Sequence, residues 1–239
     1  QNNLAHSASS VAIGTNNVAE GYNSVALGRN VATTGVHSMA LSLYSSSRSY
    51  GETTMGIYAA DYVPNSPTNF DGIDRLFTIG NGLDDGNRSN ALVIFKNGDA
   101  TLLGTLTDAS DIRLKRNVKP LQNSLLSLNH LQGVNYQWNG RKPQDTLALQ
   151  TGLIAQEVEK IFPELVKTDE DGFKSVNYIG LVPHLIEAIK ELQVKHERLI
   201  NETQLQKEES KKKIESLEAR LQRVENLVQQ NNNRSISNE

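Results

Sequence analysis

A short pattern recurs in phase near the start of the chain, with a 14-residue period. Ser10–Gly14 (SVAIG) returns as Ser24–Gly28 (SVALG) and Ser38–Ser42 (SMALS), while Glu52–Gly56 keeps only an apolar residue and the glycine. Apolar residues on either side of a small alanine follow the period-two pattern of a strand, and the closing glycine suits a turn. A unit this short must stack on its neighbours, and on other chains, to bury its apolar residues.

The repeat resembles the head repeats of trimeric autotransporter adhesins over about residues 1–60. That resemblance implies a left-handed parallel β-roll built from three chains, so a homotrimer is the expected assembly. A low-complexity polar linker is the alternative, but the copies agree in phase, which disfavours it.

Residues 61–109 are predicted to be a β-rich neck. Strand-like runs cover 75–80 and 91–96, a shorter one covers 100–103, and turn-forming residues separate them. The carboxylates of this region lack the alternation of a calcium loop, so we interpret them as turn residues; they are Asp84, Asp85 and Asp99.

Charge and composition exclude several classes of function. The segment 1–109 carries five Lys or Arg against nine Asp or Glu, and the segment 110–239 carries 19 against 18. Neither part has the basic excess that nucleic-acid binding requires. The chain has no cysteine and no apolar run long enough to span a membrane, and no cofactor is expected. It begins at Gln1 rather than Met, so we expect a fragment of a longer protein.

The pattern changes at Ser110. A short helix is predicted over 121–131, a strand over 134–138 that ends in an Asn139–Gly140 turn, and a strand leading into a helix from Thr151. Two further strands flank the turn at 169–172, and a helix follows from Leu181. The segment 110–180 is therefore predicted to be a compact α+β domain.

Several motifs in this region occur in a recognisable order: SDIRLKRNV, GLIAQEVEKIFPELV and KSVNYIGLVPHLIEAIKEL. They closely resemble the C-terminal intramolecular chaperone of phage tail spikes and tail fibres, the peptidase S74 type first recognised in endosialidases, over about residues 109–200. The resemblance implies a domain that trimerises, guides folding of the fibre before it and then cuts itself off. It places the cleaved bond at Ala109–Ser110, with Ser110 as nucleophile and Lys115 as its base.

The spacing of this serine and lysine sets a physical constraint. Five residues do not return to the same face of a helix or of a strand, so Ser110 and Lys115 can meet only across a bend or through packing supplied by a trimer. A lysine base must also be uncharged, which needs burial or a nearby cation. Arg113 and Arg116 are candidates for that cation, although both equally suit a solvated surface.

Other polar residues give weaker signals. The histidines His130, His184 and His196 share no metal-ligand spacing, so no metal site is predicted and they are interpreted as surface or packing residues. Glu157 and Glu159 lie two apart on a helix and are interpreted as its surface.

The last part of the chain is predicted to be a coiled coil over 181–230, followed by a disordered tail over 231–239. Apolar residues alternate at spacings of four and three in two blocks, 185–199 and 214–228. The blocks differ in register, so a stutter is expected near 207–213. The fold class is thus mixed: an all-β trimeric fibre, then an α+β chaperone domain that ends in a long trimeric coiled coil.

Two functions from different classes follow. The first is a self-cleaving serine–lysine chaperone whose folding client is its own N-terminal fibre segment, on a virion tail fibre or a bacterial surface, with a possible receptor on a host surface. The alternative is a structural adhesin or fibre that trimerises without cleaving. A membrane-associated transcription factor is disfavoured by the charge balance and the missing span, and a glycan hydrolase by the lack of paired carboxylates in a cleft.

Overall fold

The computed structural model describes residues 2–139 and 149–236. The described residues divide into two compact units, one formed by 2–116 with 135–139 and 149–150, the other by 117–134 with 151–236. Part of the predicted Asn139–Gly140 turn and residues 237–239 of the predicted tail lie outside the described residues.

The repeat region is a β-solenoid, as the period of the sequence predicts. Each coil contributes one short and one long strand, and each strand pairs in parallel with its equivalent one coil later: Leu4 lies opposite Val18, and Val11 opposite Val25. The short strands are β1 Leu4–Ala5, β3 Val18–Ala19, β5 Ala32–Thr33 and β7 Ser46–Ser47. The long strands are β2 Val11–Thr15, β4 Val25–Arg29, β6 Met39–Leu43 and β8 Thr53–Ile57.

The alternation along the long strands separates an inner from an outer face. The small central residues Ala26 and Ala40 are fully buried. The residues on either side of each central alanine point to the opposite face of the strand. Ile13, which follows the equivalent alanine Ala12, is 59% exposed. One chain therefore buries the small side chains and leaves the larger apolar ones as a ladder on its outer face; that ladder contains Val11, Ile13, Val25, Leu27, Met39, Leu41 and Met55.

The coil turns at left-handed backbone positions that recur at every seventh residue. These positions have φ between 51° and 63°, apart from the last at 43°, and they are Ser9, Asn16, Asn23, Asn30, His37, Tyr44, Gly51 and Tyr58. Glycine is also needed for close approach: a Cβ on Gly28, where φ is 137°, would collide with the carbonyl oxygen of Ser42. The corner spacing is half the repeat length, so each coil has two equivalent bends.

The predicted neck continues the long-strand sheet. Strand β9 Arg75–Asn81 pairs in parallel with β8, and β10 Asn90–Phe95 and β11 Ala100–Leu102 then add antiparallel strands. The three strand-like runs of the sequence are thus confirmed as strands. The antiparallel meander ends the solenoid sheet at this side.

A buried polar cluster lies where the solenoid meets the meander. Glu52 is fully buried, and one of its carboxylate oxygens accepts hydrogen bonds from the backbone amides of Arg48 (2.7 Å) and Ser49 (2.9 Å) and from the hydroxyl of Tyr62 (3.2 Å). The guanidinium of Arg75 lies 4.0 Å from the centre of the Tyr62 ring. Burial raises the pKa of Glu52, against the opposing effect of these donors and of Arg75.

The second unit is small and packs around one apolar cluster. Its helices are α1 Ser124–Leu128, α2 Ala155–Ile161 and α3 Leu181–Ile236. Strands β12 Val134–Tyr136 and β13 Gln150–Gly152 pair with each other, each at a point where the chain passes from one unit to the other. Strands β14 Val166–Thr168 and β15 Lys174–Val176 of the second unit form an antiparallel hairpin. The cluster is made by Val158, Phe162, Leu165 and Leu181.

Helix α3 is continuous over the whole predicted coiled-coil segment and includes residues 231–236 of the predicted tail. The apolar residues of both predicted heptad blocks are exposed in the single chain, for example Leu217 and Leu221. The N-terminal part of α3 also serves the small unit: the carboxylate of Glu191 accepts the backbone amides of Ser124 and Leu125 at the start of α1.

Candidate functional site

The predicted cleavage site lies in the longest exposed stretch before α3. Every residue from 98 to 123 is exposed, and the backbone on both sides of the Ala109–Ser110 peptide bond is neither helix nor strand. A peptide bond without ladder hydrogen bonds is free to adopt the geometry that a nucleophile requires. The backbone at this point is therefore held by neither a helix nor a β-ladder.

Directly after Ser110 the chain makes a single 3-10 turn, Ile112–Leu114. The amide of Leu114 donates to the carbonyl of Asp111 and that of Lys115 to the carbonyl of Ile112, both at 3.0 Å. The turn folds the chain back on itself between the serine and the lysine. This bend is one of the two arrangements that the spacing of Ser110 and Lys115 allows.

The bend brings the two predicted catalytic side chains together. The Nζ of Lys115 lies 2.7 Å from the Oγ of Ser110, within one chain. Bending was one of the two expected routes to this contact, and packing by further chains is not needed to make it. A hydroxyl within hydrogen-bond distance of an amine is the arrangement that a nucleophile and its general base require.

Asp111 holds the turn from its first position. Its carboxylate accepts the backbone amide of Arg113 at 2.8 Å, as an N-cap does. It also pairs with the guanidinium of Arg113, with Nη2 to Oδ2 at 2.6 Å and Nε to Oδ1 at 3.0 Å. The hydrogen bonds from the Arg113 side chain, and then from its amide, lower the pKa of Asp111, and the same pairing raises the pKa of Arg113.

This ion pair bears on the predicted role of Arg113 as a cation beside Lys115. A guanidinium paired with a carboxylate contributes little net positive charge to its surroundings. Arg113 is thus engaged elsewhere in the single chain, and Arg116 is an exposed residue beyond the turn.

The other polar residues considered from the sequence make contacts typical of packing or of the surface. His130 hydrogen-bonds the carbonyl of Leu126, and the ring of His184 packs against Phe162 at 4.2 Å between centres. Glu159 forms a 2.7 Å ion pair with Lys174 on β15. Over residues 2–139 and 149–236, no group of three or more His, Cys, Asp or Glu is placed to hold a metal ion.

The segment that begins at the serine decides the family resemblance. Residues 110–167 match the family described as chaperone of endosialidase. Residues 5–30 match two copies of the YadA head domain repeat. Both resemblances predicted from the sequence are confirmed, and the chaperone match starts at the serine that makes the contact with Lys115.

Three curated relatives are phage proteins of one kind. The chain is 32% identical over 130 residues to the long tail fiber protein Gp37 of Enterobacteria phage K3, 32% over 94 residues to that of Enterobacteria phage T2, and 34% over 123 residues to that of Salmonella phage S16. The matches cover 50%, 38% and 48% of this chain. They cover 10%, 7% and 16% of the relatives, so the chain corresponds to a small part of each.

Two features escaped the sequence interpretation. The Asp111–Arg113 pair had a local signal, because aspartate is a preferred N-cap and the arginine follows two positions later. The burial of Glu52 had no comparable signal, because its partners include Tyr62, in the segment beyond the repeat.

Within the described ranges, none of the helices combines the length and the hydropathy that a bilayer crossing requires.

Proposed function

We propose that this chain is part of a phage tail fibre and that residues 110–230 act as a self-releasing intramolecular chaperone. The chaperone trimerises, guides folding of the β-solenoid before it and separates from it by cleavage at Ala109–Ser110. The observation that carries the proposal is the 2.7 Å contact between Ser110 Oγ and Lys115 Nζ, directly after the bond to be cut and at the start of the chaperone match.

The chemistry uses only these two side chains and water. The uncharged amine of Lys115 takes the proton of the Ser110 hydroxyl, and the oxygen attacks the carbonyl carbon of Ala109. The bond from that carbon to the Ser110 nitrogen breaks as the nitrogen receives the proton from the Lys115 ammonium. An ester then joins Ala109 to Ser110 Oγ, and water hydrolyses it to a carboxylate at Ala109 and a free amine at Ser110.

Assembly would supply what the single chain lacks. A lysine acts as a base only when it is uncharged, and removal from water favours that form. Ser110 and Lys115 are exposed. Covering of this stretch by the other chains of a trimer would desolvate the pair, so cleavage would follow assembly rather than precede it.

Two apolar surfaces of the single chain support a homotrimer. The heptad residues of α3 are exposed along one helix, as the seam of a coiled coil requires before assembly. The solenoid exposes its outer ladder of Val, Ile, Leu and Met side chains, and its relatives in sequence are YadA head repeats. Burial of both surfaces between copies would remove them from water.

Release of the chaperone would fix the fibre in its folded form. Parallel, stacked β-structure relies on non-local pairing and forms slowly, so early association through a helical seam would set the register of three chains. Cleavage then removes the element that allowed the chains to assemble. The persistence of the fibre becomes a matter of its unfolding rate.

The relatives favour a virion tail fibre over a bacterial surface, since all three are named as long tail fiber proteins. A receptor on the host surface is the expected partner of the fibre part. A second candidate function is a trimeric fibre that never cleaves, and the full exposure of the dyad in the single chain is the observation that favours it.

The deciding experiment follows freshly expressed protein by denaturing gel and intact mass. We expect wild type to split at Ala109–Ser110, and Ser110→Ala and Lys115→Ala to stay whole, because each removes one half of the proton transfer. Lys119→Ala, an exposed lysine of the same stretch, is the matched control and should cleave like wild type. A wild type that remains one chain as a trimer at neutral pH would leave the non-cleaving fibre as the function.

A further inference from the structure

The carboxylate of Asp111 has two cations within four residues after it in sequence, and both could pair with it. It lies four positions before Lys115 and two before Arg113, and all three side chains are exposed. In the structure the carboxylate is taken by Arg113 through the guanidinium and the backbone amide. Lys115 is left to donate to Ser110. The two contacts divide the charged groups of the turn into separate pairs.

The geometry of an arginine explains this division. A guanidinium presents its N–H groups in a planar fork that matches both oxygens of a carboxylate, whereas an ammonium makes a point contact. Arg113 contacts both oxygens of Asp111, at 2.6 to 3.1 Å. Arg113 is therefore the stronger partner for this acid, and its removal would leave the acid to pair with the nearest remaining cation.

We propose that Asp111 and Arg113 are a positioning pair for the Ser110–Lys115 dyad: the pair fixes the 3-10 turn and keeps the only carboxylate inside the turn away from the Lys115 amine. The inference rests on the proposed self-cleavage for its kinetic consequences. Neither residue touches the reacting atoms. Their effect passes through the protonation and direction of Lys115, because a carboxylate beside an ammonium favours the charged form, which is inactive as a base.

The other charged groups around Lys115 are few. Asp108, Arg116 and Lys119 complete the charged side chains of the exposed stretch that follows Asp99. None of the three is in a salt bridge with another described residue. The Asp111–Arg113 pair is the ordered charge interaction next to the dyad.

A set of charge variants tests the pair through the pH dependence of cleavage. Arg113→Ala frees the carboxylate, so the rising limb of the rate profile should shift to higher pH by at least about half a unit, the shift that suits an exposed ion pair, or about threefold in rate at a fixed pH. Asp111→Asn keeps an acceptor for the cap but frees the guanidinium, so its shift should be to lower pH. The double variant should return close to the wild-type profile.

The opposite signs separate this role from a merely structural one. Loss of the turn would slow cleavage in both single variants without moving their profiles in opposite directions. Profiles that superimpose on wild type, or that shift in the same direction, would overturn the inference. Lys119→Ala is again the control and should not shift.

A second measurement decides the matter without cleavage. In the uncleavable Ser110→Ala full chain, an amine-reactive label at pH 8, mapped by mass spectrometry, reports the fraction of uncharged Lys115. Adding Arg113→Ala should lower labelling of Lys115 about threefold and leave Lys119 unchanged, and equal labelling of Lys115 would overturn the inference. A wild type that never cleaves would defeat the proposed function, while the labelling result still judges the pair.

Discussion

Two stretches of equal length in this chain leave their polar groups in opposite environments. In the solenoid, residues 31–56 largely alternate between buried and more exposed positions, and even a carboxylate, that of Glu52, is enclosed with its hydrogen-bond donors around it. Residues 98–123 are exposed throughout, and the side-chain hydrogen bonds of the predicted dyad and of the turn beside it join residues within Ser110–Lys115. The carboxylate of Glu52 thus finds its partners within the chain, whereas the chain leaves residues 98–123 open to solvent.

The difference teaches where assembly can exert control. A coil of the solenoid finds its partners in the coils before and after it, so its interior is complete without a second chain. The dyad has the right contact but no shelter from water, and a lysine base needs that shelter. A serine and a lysine on an exposed stretch can stay inactive until a neighbouring chain covers them. The same two residues inside the solenoid would be removed from water as soon as the coil folded.

The largest effect is expected from variants that prevent other chains from covering Ser110 and Lys115. Leu217→Lys with Leu221→Lys places two charges in the predicted seam of α3, and we expect loss of the trimer and roughly a tenfold or greater loss of cleavage, because the dyad stays solvated. Light scattering after size exclusion measures the trimer, and intact mass measures the cut. Ser216→Lys with Gln222→Lys adds the same charges outside the seam and should behave as wild type. A monomeric seam variant that cleaves at the wild-type rate would show that the exposed stretch needs no cover.

A smaller effect tests the enclosed side of the comparison. Glu52→Ala leaves the amides of Arg48 and Ser49 and the hydroxyl of Tyr62 without their acceptor, and we expect a loss of about 2–4 kcal/mol in the free energy of unfolding. Thermal and denaturant unfolding of the Ser110→Ala background measure it. Glu20→Ala, an exposed carboxylate of an earlier coil, is the control and should change stability by less than about 0.5 kcal/mol. Equal stability of the two variants would mean that water replaces the lost acceptor.

The smallest effect concerns pH. Burial raises the pKa of Glu52 above its usual 4.5, so the folded state holds this proton at a pH where the unfolded chain has released it. The contribution of Glu52 to stability is therefore greatest at low pH and declines as pH rises from about 4.5 through the raised pKa. Glu52→Gln keeps an acceptor oxygen but cannot ionise. Its melting temperature relative to wild type should rise by a few degrees between pH 4.5 and 7, and a constant difference would contradict the raised pKa.

The sequence predicts the solenoid better than its ending. Copies such as Ser10–Gly14 and Ser24–Gly28 repeat in phase, and a parallel register of one full period, Val11 opposite Val25, follows directly from that phase. The fourth copy looks degenerate because Glu52 stands where the others have serine and because Thr53 and Thr54 replace the apolar residue and the alanine. Its burial depends on Tyr62 and on the meander, which no local period contains. Tertiary contacts decide the environment of this residue.

The candidate site was predictable in part for a similar reason. The sequence spacing of Ser110 and Lys115 rules out a common helix or strand face, and a bend was one expected solution. The choice of bend depends on Asp111, whose carboxylate caps the 3-10 turn and pairs with Arg113. The identity of the partner for each cation is a competition among neighbours, and spacing alone does not rank the competitors.

Because each coil has two left-handed corners at fixed positions, the solenoid can only grow or shrink by a whole number of coils. One coil adds one period of sequence and one inter-strand step of about 4.8 Å. A gene duplication or deletion of a whole coil would therefore lengthen or shorten the rod without changing the contacts of any remaining coil. A change of any other size would put side chains such as those of His37 and Tyr44 at the wrong corner. The length of the solenoid can therefore change in evolution only by whole 14-residue repeats.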